Sequence, residues 1–525
     1  MTDYPAIFRS PSIPAVADAL VGRWEMRAED MDVVALAELL ADTVYLERLR
    51  FEEEVGHEEE VADIDAAARA VAQGSRGALT TSLRRLVRAY AEEIHHPFSS
   101  RAYGLVTRVL PTALTNLVTA GDPRRLLLRQ TDPGSRIAIG GDVEAVKALA
   151  EKGTLILAPT HLSNLDSPLI GYVLFRSGLP PFAYGAGLNL FNNPMMAFWM
   201  SRLGAYTVDR RKRGRIYKQT LKDYSVEILG RGCHSLFFPG GTRSRSGRIE
   251  SKLKKGLLGT GLLAWQESIA AGAGRDVFVV PLTLSTSLVL EAETLVRDSL
   301  CREGKQRFII ADDEFSQPGR VASYLSRVAN LDESVHVTFG TVLDPVGNPV
   351  DREGRSLGPS GEVIERSRFV VDADGRVEWD AQRDRVYTER LSRALVKAYH
   401  RDSVALPTHV AALAAWRLLQ RANPELGTFQ LVRIARSGRQ LERTTLVREI
   451  EEVSNEVATL RQRRRIRSAL PRDADSLLDL AIQRFASYHT RKALAATGPR
   501  ITIDPELLLF YRNRLHGYGL EGAQP

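Results

Sequence analysis

The chain has 525 residues, with 71 Lys and Arg against 64 Asp and Glu, which gives a formal net charge of +7. Hydrophobic residues at 44% and charged residues at 26% are ordinary for a globular protein, and they exclude a disordered or fibrous chain. Two cysteines are too few for a disulfide framework and fit a reducing, cytoplasmic compartment. Residues 1–20 lack the pattern of a secretory signal, and no apolar run reaches the ~18 residues of a spanning helix. We therefore expect any membrane contact to be peripheral, on the inner face of the cell membrane.

The pattern of apolar residues divides the chain into three parts. Residues 1–130 are predicted to be helical, because positions such as Leu83, Leu86, Val87 and Tyr90 recur at helical spacing. Residues 131–378 alternate β-rich runs with helical patterns, which predicts an α/β domain with a mixed, mostly covered β-sheet flanked by helices. The candidate strands are residues 154–158 (TLILA), 235–238 (SLFF), 277–281 (VFVVP), 307–311 (RFIIA) and 334–339 (SVHVTF). Residues 379–525 return to a helical pattern.

Charge is distributed unevenly along the chain. Residues 1–65 contain 17 acids and 5 bases, a net charge of −12. Residues 200–256, the basic segment, contain 15 bases and 4 acids, a net charge of +11 that exceeds the +7 of the whole chain. A uniformly basic protein is therefore excluded, and we expect the basic segment to form one anion-binding pocket.

The segment 155–175 (LILAPTHLSNLDSPLIGYVLF) carries the clearest chemical signal. An apolar strand ends at Pro159, His161 follows, and Ser163 or Asn164 is expected to cap a new helix with Asp166 in its first turn. Across this turn the imidazole and the carboxylate can meet, which is the arrangement of a general base held by an acid. The same spacing also arises when the histidine is an ordinary polar residue and the aspartate only a helix-terminus carboxylate.

Three further segments point to a phosphate-bearing ligand. Residues 203–210 (LGAYTVDR) place Arg210 at the end of a short β-rich run. Residues 237–248 (FFPGGTRSRSGR) join a strand end to a glycine-rich turn with three arginines, and residues 279–282 (VVPL) end another strand at a proline. Glycines let the backbone approach a ligand closely, and guanidinium groups suit phosphate oxygens.

These four blocks, in this order and spacing, resemble the four motifs of the glycerolipid acyltransferase superfamily, whose first motif is H-x-x-x-x-D. GAYTVDR and GGTRSRSGR are most similar to the membrane-associated glycerol-3-phosphate acyltransferases, with a weaker echo at residues 406–416 (LPTHVAALAAW). The resemblance implies a glycerol-3-phosphate 1-O-acyltransferase of phospholipid biosynthesis. Its acyl donor is acyl-CoA or acyl carrier protein, and it needs no cofactor. Dihydroxyacetone phosphate or a lysophospholipid is the alternative acceptor.

The resemblance also implies roles for individual residues. His161 matches the catalytic base, and Asp166 matches the carboxylate that orients it. The positions associated with the acceptor's phosphate are Arg210, Gly241, Arg243, Ser244 and Arg245. Pro281 matches the fourth motif, which is tied to the acyl side of the site. The implied partners are glycerol 3-phosphate, the acyl thioester and a membrane surface. The histidines lack metal-ligand spacing, so no metal is expected.

One position departs from the family's pattern. The third motif usually has a glutamate where this chain has Gly240. Either the recognition of the acceptor is altered, or another acid supplies the missing charge.

A different class of function would be a non-enzymatic binder of anionic ligands, nucleic acid included, that uses the basic segment. The strand-and-helix context, the few aromatics among the arginines and the upstream His161 and Asp166 disfavour it. No nucleic-acid partner is expected.

Overall fold

A computed structural model describes residues 11–53, 58–107, 137–188, 191, 194–303, 335–434, 438–487, 489 and 491–521, without the side chains of residues 194–196 and 303. The candidate strand at residues 307–311 lies outside the described residues. Within the described ranges, no helix combines the length and the apolar character needed to cross a membrane.

The described residues of the N-terminal part include the helices α1 (Ile13–Glu29), α2 (Val33–Glu53), α3 (Glu58–Gln73) and α4 (Arg76–Ile94). The predicted apolar stripe of α4 is confirmed, because Leu83, Leu86, Val87 and Tyr90 are all buried. Ser75 caps this helix by accepting a hydrogen bond from the backbone N–H of residue 78. The four helices bury their apolar faces in one cluster with part of the basic segment.

A seven-stranded sheet forms the centre of the chain. Its strands are β1 (Ile137–Gly141), β2 (Gly153–Pro159), β3 (Ala183–Gly187), β4 (Ala205–Val208), β5 (Ser235–Leu236), β6 (Asp276–Thr286) and β7 (Val335–Phe339). They lie in the order β1-β7-β6-β2-β5-β3-β4. β7 pairs antiparallel with β6 and parallel with β1, whereas every other pair is parallel. The prediction of a mixed sheet in an α/β domain is confirmed.

Helices cover both faces of this sheet. They are α5 (Val143–Lys152), α6 (Asp166–Arg176), α7 (Pro194–Arg202), α8 (Arg215–Gly230), α9 (Lys255–Leu258), α10 (Thr260–Ala270) and α11 (Ala292–Glu303). Successive strand residues face opposite sides, so Leu155 and Leu157 pack in one buried cluster while Ile156 and Ala158 pack in another. Every residue of β2 is buried as a result. The strand that leads to the candidate site is therefore fixed from both sides.

Beyond β7 come two short hairpin strands, β8 (Ser356–Leu357) and β9 (Val363–Ile364), and then a mainly helical C-terminal part. Its helices are α12 (Ala381–Asp402), α13 (Pro407–Ala422), α14 (Thr428–Val432), α15 (Arg443–Gln462), α16 (Ala474–Ala486) and α17 (Pro505–Arg512). Five short strands that were not predicted join them, β10 (Val404–Ala405), β11 (Gln440–Glu442), β12 (Arg467–Ser468), β13 (Leu494–Thr497) and β14 (Arg500–Ile503).

The C-terminal part packs directly on the central sheet. The hydroxyl of Tyr399, which is fully buried, donates a hydrogen bond of 3.0 Å to the carbonyl of Ala158 in β2. Trp416 of α13 is also fully buried, in the cluster that contains Ile156 and Ala158. The C-terminal helices thus complete the core under the strand that carries the first motif.

Candidate active site

The structure brings the predicted pair His161 and Asp166 together. The Nδ1 atom of His161 lies 3.0 Å from Oδ2 of Asp166, and the same oxygen accepts hydrogen bonds from the backbone N–H groups of Leu162 (2.6 Å) and Ser163 (2.9 Å). Asp166 is 2% exposed. An ionised carboxylate only accepts hydrogen bonds, so Nδ1 carries the proton and the lone pair of Nε2 is the basic position.

The ring and the backbone of His161 are also fixed by contacts with neighbouring residues. Its ring stacks on Phe238, with ring centroids 3.9 Å apart and an angle of 22° between the planes. Its carbonyl accepts a 2.8 Å hydrogen bond from the backbone N–H of Ser244, and its own N–H donates 2.7 Å to Oε1 of Glu250. The side chain is still 13% exposed. The imidazole is therefore fixed in orientation yet open to a small molecule.

The predicted helix cap is wrong in its position. α6 begins at Asp166, and its N-cap residue, Leu165, makes no side-chain cap. The hydroxyl of Ser163 instead accepts from the N–H of Leu165 (3.1 Å) and donates to Oε2 of Glu291 (2.7 Å). Carboxylates accept from the N–H groups of residues 162–164, and the hydroxyl of Ser163 accepts from that of Leu165, so these interactions precede the helix and do not cap it.

Glu291 is a residue of the site that the sequence analysis missed. It lies just after β6, is 0% exposed, and accepts from the N–H of Asn164 (2.9 Å) as well as from Ser163. Its Oε1 also accepts a 3.2 Å hydrogen bond from Nη1 of Arg243. Glu291 therefore links the turn that holds the base to the glycine-rich loop. The available signal was an acid within an apolar run, residues 288–292 (LVLEA).

The glycine-rich loop places its predicted residues in different settings. Gly241 has a φ of +80°, a conformation that glycine adopts without cost, and its N–H donates to the carbonyl of Phe238 (2.9 Å). The hydroxyl of Ser244 donates to the carbonyl of Arg248 (2.6 Å), so this donor is used within the loop. Arg245 is paired with the buried carboxylate of Asp298. Arg243 is connected through Glu291 to the turn that follows His161.

Arg210 follows β4 and belongs to the same electrostatic environment. Desolvation by surrounding protein, together with the positive charge of Arg243, lowers the pKa of the Arg210 side chain, which is nevertheless solvent-exposed. Two guanidinium groups of like charge repel each other, and an anion between them would relieve that repulsion. The second and third motifs thus contribute two guanidinium groups close enough to interact, and their binding of a phosphate group stays a prediction.

The expectation that the basic segment forms a single anion-binding pocket needs correction. Lys212 is buried and paired with Glu60 of α3 (2.8 Å) and with Glu93 of α4. Arg211 pairs with Asp209 at 2.9 Å. Part of the positive charge therefore binds the acidic N-terminal helices and only part faces the site, because buried charges require partners.

Pro281 lies within β6, which continues to Thr286, so the prediction that the strand ends at this proline is wrong. Its neighbour in β2 is Ala158, and its carbonyl accepts from the N–H of Gly340 (2.8 Å). β7 ends at Phe339, so the missing N–H of the proline falls where the ladder with β7 stops. The acyl-side role of Pro281 stays a prediction.

C-terminal residues that carried no motif signal support the glycine-rich loop. Nδ2 of Asn513 donates to the carbonyl of Ser246 (2.8 Å). Arg514, 3% exposed, directs one guanidinium nitrogen to the carbonyl of Gly247 (3.4 Å) and the other to that of Leu284 (3.1 Å). The loop is therefore held between β6 and the end of the chain. No group of three or more potential metal ligands occurs in the described part of the chain.

Comparisons with known proteins find similarity to acyltransferases. Residues 142–285 match the family model described as Acyltransferase. The chain is similar to a glycerol-3-phosphate acyltransferase from Pseudomonas aeruginosa (strain UCBPP-PA14), with 27% identity over 296 residues, 56% of this chain and 31% of that protein. It is similar to the one from Glaesserella parasuis, with 32% identity over 241 residues, 45% of this chain and 26% of that protein.

The chain thus spans less than a third of the length of these curated relatives. Among solved structures, the crystal structure of the 1-acyl-sn-glycerophosphate acyltransferase from Thermotoga maritima is 15% identical and covers 54% of this chain and 78% of that chain. Its TM-score of 0.26 is too low for the likeness to carry weight.

Proposed function

Residues 142–285 match the Acyltransferase family model, and from this match and the four motifs we propose that the chain belongs to the glycerolipid acyltransferase superfamily and transfers a fatty acyl group from a thioester to the sn-1 hydroxyl of glycerol 3-phosphate. The observation that carries the proposal is the 3.0 Å contact between Nδ1 of His161 and Oδ2 of Asp166. This contact leaves Nε2 as the base. The stacking on Phe238 fixes the ring, and hydrogen bonds to the backbone N–H and carbonyl of His161 fix the residue that carries it.

In the proposed reaction, Nε2 of His161 takes the proton of the sn-1 hydroxyl as that oxygen attacks the carbonyl carbon of the thioester. The tetrahedral intermediate collapses with cleavage of the C–S bond, and the thiolate leaves with the proton that the imidazolium returns. Asp166 stabilises the imidazolium between these two steps. The products are 1-acylglycerol 3-phosphate and the free thiol.

Arg243 and Arg210 are proposed to bind the phosphate of the acceptor. Arg243 is the better placed of the two, because Glu291 joins it to the turn that follows His161. Fixing the phosphate there would orient the hydroxyl toward Nε2, which is the contribution of a positioning group. Acyl-CoA and acyl carrier protein remain the proposed donors, and a peripheral contact with the membrane surface is the proposed route for the acyl product.

The proposal is tested with purified protein, palmitoyl-CoA and a panel of acceptors. Glycerol 3-phosphate, dihydroxyacetone phosphate and a lysophospholipid are compared by release of free thiol and by identification of the product. We expect the highest kcat/KM with glycerol 3-phosphate. An enzyme that acylates none of the three, with either palmitoyl-CoA or palmitoyl carrier protein, would refute the assignment.

The phosphate role of Arg243 is tested with the variants R243A and R243K. Loss of one charge-assisted hydrogen bond, worth about 1.5–3 kcal/mol, should raise the KM for glycerol 3-phosphate about 10- to 100-fold in R243A. R243K, which retains the charge, should lie between R243A and the wild type. Arg213, an exposed arginine of the same basic segment, gives the matched control R213A. Equal KM values for R243A and R213A would remove Arg243 from this role.

A further inference from the structure

Gly240 has a neighbour that occupies the space of a side chain. A Cβ atom built on Gly240 would lie 3.0 Å from Cγ and 3.4 Å from Oε1 of Glu250. Gly240 is absent from the glycines with positive φ, so its backbone would accept another residue. The obstacle to a side chain at position 240 is therefore the side chain of Glu250 and not the backbone.

The carboxylate of Glu250 is directed at the candidate base. Its Oε1 accepts the 2.7 Å hydrogen bond from the N–H of His161. Its Oε2 is shielded from solvent and has no hydrogen-bond partner among the described residues. Burial raises the pKa of Glu250 to about 7, an effect opposed by its backbone hydrogen bonds and by the charge of Arg514. A buried carboxyl with one oxygen unsatisfied costs stability, and such groups are retained mainly where they have a function.

We propose that Glu250 supplies, from ten residues further along the chain, the carboxylate that the third motif lacks at Gly240, and that it positions His161 through the backbone N–H of that residue. This inference rests on the proposed function in one respect, namely that His161 is the base. On this proposal, the glutamate missing at position 240 is replaced by Glu250, whose side chain occupies the space beside Gly240.

Glu250 acts on the geometry of the base and not on the substrate. The N–H of His161 and the N–H of Ser163 are anchored by two different carboxylates, Glu250 and Asp166. Removing the first anchor frees the peptide that carries the imidazole, and a displacement of about 1 Å at a reacting group is enough to lower a rate about 100-fold. We therefore expect a loss in kcat, with the KM for the acceptor nearly unchanged.

The decisive experiment moves the carboxylate from position 250 to position 240. Three variants, E250A, G240E and G240E/E250A, are compared with the wild type by kcat, KM and melting temperature. E250A should lose about 100-fold in kcat, and G240E should also be impaired because two carboxyl groups would share one buried space. The double variant should recover at least 10-fold over E250A. E389A, which removes an exposed glutamate paired with Lys255 on the surface, is the control that should retain wild-type kcat.

Two outcomes would overturn the proposal: wild-type kcat in E250A, or a folded double variant that is no more active than E250A. A melting-temperature cycle and a crystal structure of G240E/E250A do not depend on activity, so they separate this inference from the proposed function. G240E should lower the melting temperature less in the E250A background than in the wild type. In the crystal structure of the double variant, the carboxylate of the introduced glutamate should accept a hydrogen bond from the N–H of His161. A carboxylate turned away from that N–H would refute the idea that Glu250 replaces a carboxylate at position 240.

Discussion

Asp166 combines two roles that two substitutions can separate. Its Oδ2 accepts from the His161 ring and from two buried N–H groups, those of Leu162 and Ser163, which belong to residues 3% and 7% exposed. D166A removes the acceptor of all three hydrogen bonds and leaves the two backbone donors without that partner. At about 1–3 kcal/mol for each unsatisfied donor, the free energy of unfolding should fall by about 2–6 kcal/mol.

D166N keeps an oxygen in the place of Oδ2 and loses only the charge. A neutral acceptor is weaker than a charged one, so the free energy of unfolding should fall by only about 1–2 kcal/mol. Both variants remove the charge that stabilises the imidazolium, and both should lower kcat by about 10²- to 10⁴-fold. The two substitutions should therefore differ in stability while they agree in activity.

The assay combines denaturant unfolding with steady-state kinetics of acyl transfer. D142A is the matched control, because Asp142 also accepts a backbone N–H at a helix start, as the N-cap of α5, but it is exposed and its partners, the N–H of Ala145 and the guanidinium of Arg352, lie outside the candidate site. It should lose about 1 kcal/mol of stability with kcat unchanged. The reasoning fails if D166N keeps wild-type activity, or if D166A is as stable as D166N.

Two further predictions concern the support of the site. Gly247 has a φ of +78°, and a Cβ there would lie 2.2 Å from the backbone oxygen of Phe510, so G247A should lower the free energy of unfolding by about 3 kcal/mol or more and reduce activity. G361A, also at positive φ (+86°) but in open space, should lose only about 1 kcal/mol in denaturant unfolding; equal losses would contradict the clash. His409 is buried, donates from Nε2 to the carbonyl of Thr286, and has a pKa lowered by burial to about 3. Its folded-state pKa is below the unfolded value of about 6.5, so stability is lost as pH falls below 6.5, by about 2 kcal/mol at pH 5. H409N should flatten this slope between pH 7.5 and 5, and an unchanged slope would refute the assignment.

The sequence allowed the local part of the site to be predicted. β2 and β6 contain the apolar runs proposed for them, and the five-residue spacing correctly predicted the contact between His161 and Asp166. Both inferences depend on residues close together in the chain, where the geometry of a strand and the following helix turn is regular. The α/β character of the domain followed from the same alternation of strands and helices, whereas that alternation does not specify the antiparallel pairing of β7 with β6.

The remaining part of the site depends on contacts between distant segments. Glu291 accepts a hydrogen bond from the hydroxyl of Ser163, which lies 128 residues away in the chain. Glu250 accepts one from the N–H of His161, which lies 89 residues away. A single buried carboxylate has no periodicity and no motif, so only the folded chain identifies it. The helix cap was misassigned for the same reason, because the hydroxyl of Ser163 donates to the distant Glu291 and accepts from the N–H of Leu165, which precedes the helix.

In the proposed phosphate site, ion pairs hold the arginines in place and offset part of their charge. Arg243 and Arg245 are each held by a buried carboxylate, from Glu291 and Asp298, before any ligand arrives. Each guanidinium has five N–H donors, so a carboxylate on one edge fixes its position without using all of them. The side-chain entropy lost on binding is then smaller, and the buried acids also offset the repulsion among neighbouring arginines. The net positive charge near a bound ligand is therefore lower than the +11 of the basic segment. The affinity for phosphate would then depend on the orientation of a few guanidinium groups.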